Sequence, residues 1–228
     1  MRCAPLAALI LLPATAAAQP LLFDDFDGDA LAPNWGHVPS RWQYNVSNGM
    51  LNVTALTYPS NPQSNSNAAA MASLFETQMD FRIDVWMGWD GGDPPEGIEF
   101  TPLAASGHIL ATFGYRNEPT QGPPRIVMGA GSMYAASIPS PGPGMHHFTL
   151  TRSGDQFEFY LNGAFLVAFP DDWERPASVM FFSFGGPYPG QLGALHVDRV
   201  RVVPAPYSAA VLGTVLILGR IRRMRRET

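Results

Sequence analysis

The chain has no lysine and only one cysteine. A lone thiol, Cys3, can neither close an intrachain disulfide nor build a cysteine metal cluster. A domain made from this chain must therefore be held by its apolar core, and about 185 residues between the two ends are enough to build one. The middle of the chain lacks any convincing helical period. Its apolar run near the C-terminus, Tyr207 to Gly219, counts 13 residues, short of the ~20 that span a bilayer comfortably. Positive charge is also scarce. Between Gln19 and Val203, eight arginines stand against eighteen acidic residues, a formal charge of −10. The whole-chain value of −5 hides this, because the basic residues concentrate in the tail. So acidic a region excludes a nucleic-acid partner, which needs a basic footprint. It is compatible with neutral polysaccharide, with divalent cations and with life outside the cell.

Three segments follow. Residues 1–18 carry the charged start Met1-Arg2, the apolar stretch Leu6 to Leu12 and the small-residue site Ala16-Ala17-Ala18. That is the pattern of a secretory signal peptide. Residues 19–203 form one domain. Residues 204–228 hold a Pro-rich stop, the apolar run and then Arg220, Arg222, Arg223, Arg225 and Arg226. Apolar residues are stable in lipid, while guanidinium groups stay on the cytoplasmic side. This tail resembles the bacterial PEP-CTERM sorting signal, with Val203, Pro204, Ala205 and Pro206 at its motif. Ala205 stands where that family has Glu. The resemblance implies an exported protein, anchored at least transiently in the inner membrane by a short C-terminal apolar helix. An exosortase-like sorting protease would then release it to the cell surface or extracellular matrix. A plain C-terminal anchor is the alternative.

The domain's own signal is alternation. Phe81, Ile83, Val85, Met87 and Trp89 share one parity, with Arg82, Asp84 and Trp86 on the other. This is a half-buried strand. Ile109, Ala111, Phe113 and Tyr115 repeat the pattern. Phe148 to Thr151 and Phe157 to Leu161 flank a turn at Ser153 to Gln156. Asn162-Gly163, a dipeptide that tolerates positive φ at both positions, leads into Ala164 to Phe169. Val179 to Phe184 reads as a central strand, and Leu195 to Val203 as the closing one. Many short strands with turn chemistry between them predict an all-β, two-sheet antiparallel jelly-roll sandwich. Phe23-Asp24-Asp25-Phe26-Asp27-Gly28 with Trp35 resembles the opening of concanavalin A-like lectin/glucanase domains. His147 to Arg152 with Tyr160 to Gly163 resembles the laminin-G-like hairpin, and His196 to Val202 the closing strand.

Three chemistries suggest themselves. For glycoside hydrolysis, the beta-glucanases that the chain resembles place carboxylates two apart on one strand face. Here Glu96 and Glu99 are three apart, which sends them to opposite faces. Asp80 and Asp84 share a parity with Arg82 between them, the pattern of a solvated charge row. For calcium, Asp24, Asp25, Asp27 and Asp29 crowd one segment, and Ca²⁺ prefers clustered oxygens. The resemblance implies a structural ion tying the first strand to the last through Asp25, the Gly28 carbonyl and Asp198. The alternative is a polar turn in which Asp side chains bond nearby backbone N–H groups. For carbohydrate binding, Trp86 beside Arg82 and Asp84 is the leading platform. Trp89, Tyr115, Trp173 and Tyr188 are further candidates. His147 reads as a turn-capping residue. These features predict a non-catalytic, surface-delivered domain that binds polysaccharide or a matrix component. The alternatives are a divergent glycoside hydrolase and a purely structural matrix protein.

Overall fold

The computed structural model describes residues 21–38, 42–55, 69–74, 80–90, 97–117, 122–171, 175–185 and 194–204. The described residues form fifteen strands and contain no helix. They are β1 (Leu22–Asp24), β2 (Trp35–Val38), β3 (Trp42–Ser47), β4 (Met50–Ala55) and β5 (Ala69–Leu74). Then come β6 (Phe81–Trp89), β7 (Gly97–Ala104), β8 (Ala111–Arg116), β9 (Arg125–Ala130) and β10 (Tyr134–Pro139). The last five are β11 (Gly144–Ser153), β12 (Gln156–Leu161), β13 (Ala164–Pro170), β14 (Ala177–Gly185) and β15 (Ala194–Pro204).

Two antiparallel sheets result. One, here the back sheet, runs β13-β12-β11-β6-β15-β4-β3, with β1 also paired to β15. The other, the front sheet, runs β10-β9-β8-β7-β14-β5-β2. The expected sandwich is thus present. Between the sheets lie the odd residues of β6, all buried, as period-two alternation requires. Phe148 and Leu150 of β11 and Phe157 and Phe159 of β12 join them. From the front sheet come Phe100, Phe113 and Phe182. Phe113 meets Phe148 and Phe159 edge-on, with ring centroids 4.9 and 5.2 Å away. Such contacts add about 0.5–1.5 kcal/mol each beyond the area they bury.

Turn chemistry sets the register. Asn162 and Gly163 both take positive φ, 51° and 80°, which suits a two-residue hairpin. At the β11–β12 turn, Gly154 N–H donates to Asp80 Oδ1 at 2.9 Å. Asp80 therefore caps a hairpin instead of extending the Arg82–Asp84 row. In the opening segment Asp24 is consumed by the fold. Its Oδ1 accepts from Phe26 N–H at 2.8 Å and its Oδ2 from Trp35 Nε1–H at 2.6 Å. Those bonds hold Phe26 at a φ of 52° and turn its ring into the core.

One charge lies on the core parity. Arg152 is fully buried, ion-paired to Asp171 and hydrogen-bonded to the Arg175 carbonyl. Its guanidinium also stands 5.4 Å from the Phe157 ring centroid. Removing one member of a buried pair strands the other without compensation, at a cost of about 3–5 kcal/mol. Asp171→Ala is expected to lose that much in urea melts. The double variant Arg152→Met/Asp171→Leu should recover much of the loss. A single variant within about 0.5 kcal/mol of the parent would contradict this account.

Candidate functional site

The outward face of the back sheet gathers Arg82, Asp84 and Trp86 from β6, His147 and Thr149 from β11, and Arg199 from β15. Register explains the grouping: Trp86 pairs with His147 on one side and Arg199 on the other, and Asp84 pairs with Thr149. Arg82 grips Asp84 with two N–H groups, Nε to Oδ2 and Nη2 to Oδ1, both at 2.9 Å. Thr149 Oγ1 donates to Asp84 Oδ1 at 2.8 Å, and His147 Nε2 lies 2.8 Å from the same oxygen. Burial pushes the Asp84 carboxyl up, but the Arg82, Thr149 and His147 hydrogen bonds and the Arg82 charge outweigh it. The net direction is below the ordinary carboxylate value.

This face is already satisfied by its own residues. The His147 ring stacks on Trp86 at 4.1 Å and 4°. Arg199 stands over the Trp86 ring at 5.4 Å. These two residues approach from neighbouring strands on opposite sides, so neither ring face of Trp86 is open for stacking. His147 is no turn cap, since its side chain reaches across to β6. Trp89 belongs to the other parity. It is buried in the core, with its ring stacked on Tyr115 at 3.8 Å. Neither Trp89 nor Tyr115 offers a surface platform. Trp173, Tyr188 and Glu96 lie outside the described residues.

At the chain ends, β1 pairs with β15 as expected, with Asp24 opposite Val200. Asp198 is the extra residue of a bulge between Val197 and Arg199. That bulge falls where the partner of β15 changes from β4 to β1. Asp25 and Asp198 therefore approach the same junction, with Gly28 exposed three residues on from Asp25. Among the described residues, no three His, Cys, Asp or Glu side chains converge. Val203 and Pro204 lie within β15, while Ala205, Pro206 and the arginines of the tail lie outside the described residues.

The open site lies on the outward face of the front sheet, as a cleft of about 930 Å³ over β7 to β10 and β14. Small residues pave it: Thr101, Thr112, Val127, Gly129, Ala135 and Ser137. Leu103, Ile109 and Phe181 supply apolar surface. The opposite end is charged. Glu99, Arg116 and Arg125 meet there, because Arg116 pairs with Arg125 across β8 and β9. Glu99 faces Gly114. A Cβ at Gly114 would lie 2.2 Å from the Ile98 carbonyl oxygen and 2.6 Å from Glu99 Cα, so only glycine lets these strands approach. The Glu99 side chain leans over the space so left. Its Oε1 accepts from Arg116 Nε at 2.6 Å. Among the described lining residues Glu99 is the only carboxylate.

This site was hard to see in sequence. Val179 to Phe182 is apolar at every position, and only Ser183, on the same parity as Phe181, hints that Phe181 faces outward. The floor residues are small and carry no motif. The one available signal was Glu99 on a strand with Arg116 seventeen residues on.

No protein-family model and no curated protein matches this chain. Solved structures do. The CBM2 module of the evolved Dit of Lactobacillus casei BL23 phage J-1 is similar at TM-score 0.63 and 13% identity, over 82% of this chain and 97% of that one. A laminarinase from Flavobacterium sp. UMI-01 is similar at TM-score 0.63 and 13% identity, over 81% and 100%. An immunostimulatory antigen and pseudo beta-1,3-glucanase of Mycobacterium tuberculosis is similar at TM-score 0.61 and 14% identity, over 82% and 99%. These likenesses establish the fold, a concanavalin A-like β-sandwich of the kind found in laminarinases.

The Asp84 network carries a pH signature. A carboxyl whose folded pKa is depressed contributes stability above its unfolded value, and that contribution is lost as pH falls through the folded one. The parent protein should therefore lose stability as pH drops below the ordinary 3.8 of Asp84. Asp84→Asn should be roughly 1–3 kcal/mol less stable at neutral pH and should lose less on acidification. Thermal melts of both proteins from neutral to acid pH check this. Parallel curves would count against it.

Proposed function

We propose that this protein is an exported, non-catalytic sandwich that binds extracellular polysaccharide in the front-sheet cleft. The observation that carries the reading is the cleft itself. It has a polar, small-residue floor and an outward Phe181, and its one described carboxylate is held by Arg116. One sugar ring would stack its apolar face on Phe181 beside its cross-strand partner Thr101, while Thr112 and Ser137, further across the sheet, bond hydroxyls of neighbouring rings. Carbohydrate-related names among the fold neighbours support this partner class. The sequence patterns of a signal peptide and a sorting tail support a role outside the cell, at the surface or in the matrix.

A second reading is a divergent glycoside hydrolase. What favours it is that laminarinases share this fold and that Glu99 lies in the cleft. One experiment separates the two. Retention of the protein by immobilised polysaccharides is expected without release of reducing ends from β-1,3-glucan. Phe181→Ala should weaken retention about 3- to 10-fold, the loss of one aromatic contact. Reducing ends that appear with the parent and vanish with Glu99→Gln would establish the hydrolase instead. Silence across all polysaccharides would favour a structural matrix role.

We also propose a structural Ca²⁺ at the β1–β15 junction, held by Asp25, Asp198 and the Gly28 carbonyl. Water would complete the 6–8 oxygens that Ca²⁺ takes. An ion bound only by the native state raises the melting point. Melting should therefore fall on adding a chelator and recover with excess calcium. An unchanged midpoint would remove this ion from the account.

A further inference from the structure

We infer that the cleft is built for an anionic glycan, one bearing carboxylate or sulfate groups. The inference rests on the binding reading above and narrows its ligand. Its basis is the juxtaposition of Arg116 and Arg125 as direct cross-strand partners, both lining the cleft. Like charges placed opposite one another on neighbouring strands are destabilising. The chain nonetheless puts two of the domain's eight arginines side by side here. The domain as a whole carries −10, so a lining with two guanidinium groups and one carboxylate runs against its surroundings.

The geometry suits an oxyanion. Glu99 accepts from Nε of Arg116 and is ion-paired to its Nη2, which fixes the plane of that fork at the end of the cleft. Arg125 makes contacts of its own. A guanidinium has five N–H donors, more than Glu99 takes from Arg116, whose side chain is 37% exposed. Planar forks match carboxylate and sulfate oxygens in pairs, which gives orientation as well as strength. The cleft is also polarised along its length. The charged end lies at the start of β7 and β9, and the apolar residues Leu103 and Ile109 lie toward the other end of β7 and beyond it. A glycan of several rings, with one ring over Phe181 and an acidic group on another at the arginines, satisfies both ends. An acidic protein gains nothing from its overall field when it approaches a polyanion. Retention would have to come from a local site such as this one.

The test uses the purified full-length protein and four probes in affinity electrophoresis: polygalacturonate, dextran sulfate, laminarin and neutral dextran. Either or both anionic probes should bind at least ~10-fold more tightly than the neutral ones, the low end for a charge-assisted hydrogen bond. Binding should weaken as salt rises, since exposed charges are screened. Arg125→Gln should lose that ~10-fold preference, with the melting temperature confirming a folded variant. Arg116→Gln should act in the same direction. Polygalacturonate against dextran sulfate decides between carboxylate and sulfate. Equal affinity for neutral and anionic probes, or anionic binding that ignores Arg125→Gln, would overturn the inference and leave carbohydrate binding standing. Failure of all four probes to bind would overturn both.

Discussion

Phe113 holds this sandwich shut. It rises from the front sheet and meets Phe148 and Phe159 of the back sheet edge-on. With a single cysteine in the chain, no intrachain disulfide shares that task. The core must do it, and cores of this kind are dense and intolerant of voids. Each central strand therefore commits one parity to the interior. Whatever the protein does in solution falls to the other parity and to the loops. That single constraint explains why Trp89 is structural while Trp86, three residues earlier, reaches the surface.

The two outward faces use their freedom in opposite ways. On the back sheet, large side chains saturate one another. Arg82, His147 and Thr149 converge on Asp84, and His147 and Arg199 cover Trp86. Little there is left unsatisfied for a ligand. On the front sheet, glycine, alanine, serine and threonine hold the floor down, and bulk is moved to its margins. The close approach of β7 and β8 at Gly114 continues this logic, because it lowers the floor and leaves room for the Glu99 side chain. An open cleft on a sheet follows from small residues more than from any particular motif.

This difference also governs what the sequence revealed. Strand β6 was legible because large apolar and polar residues alternate in it. The hairpins around β12 were legible because Gly154 and Asn162-Gly163 have little other use. Strands β9 and β10 carry glycine, alanine and serine, which satisfy no template strongly. Strand β14 carries bulky apolar residues on both faces and only Ser183 marks the parity of Phe181, so that outward ring was poorly legible. Arg152 sits at a core position, and alternation alone gave no hint that Asp171 would neutralise it. Trp86 looked like a platform because period places a side chain on a face but says nothing of what its cross-strand neighbours cover. Pairing Trp86 with both His147 and Arg199 needs the register of three strands, which one sequence does not supply.

The same reasoning bears on catalysis. Hydrolysis of a glycoside by paired carboxylates needs two of them across one bond, at ~5 Å or at ~6.5–9.5 Å according to outcome. The described lining of the cleft supplies Glu99 alone, and Glu99 is engaged with Arg116. In a catalytic site that engagement would compete with the role of acid or nucleophile. In a binding site it is useful. A carboxylate that fixes one guanidinium fork lowers the entropy lost when that fork takes up an anion. Under this reading Glu99 is a positioning residue for Arg116, and its hold on that guanidinium sets the direction from which a ligand's oxygens would meet it.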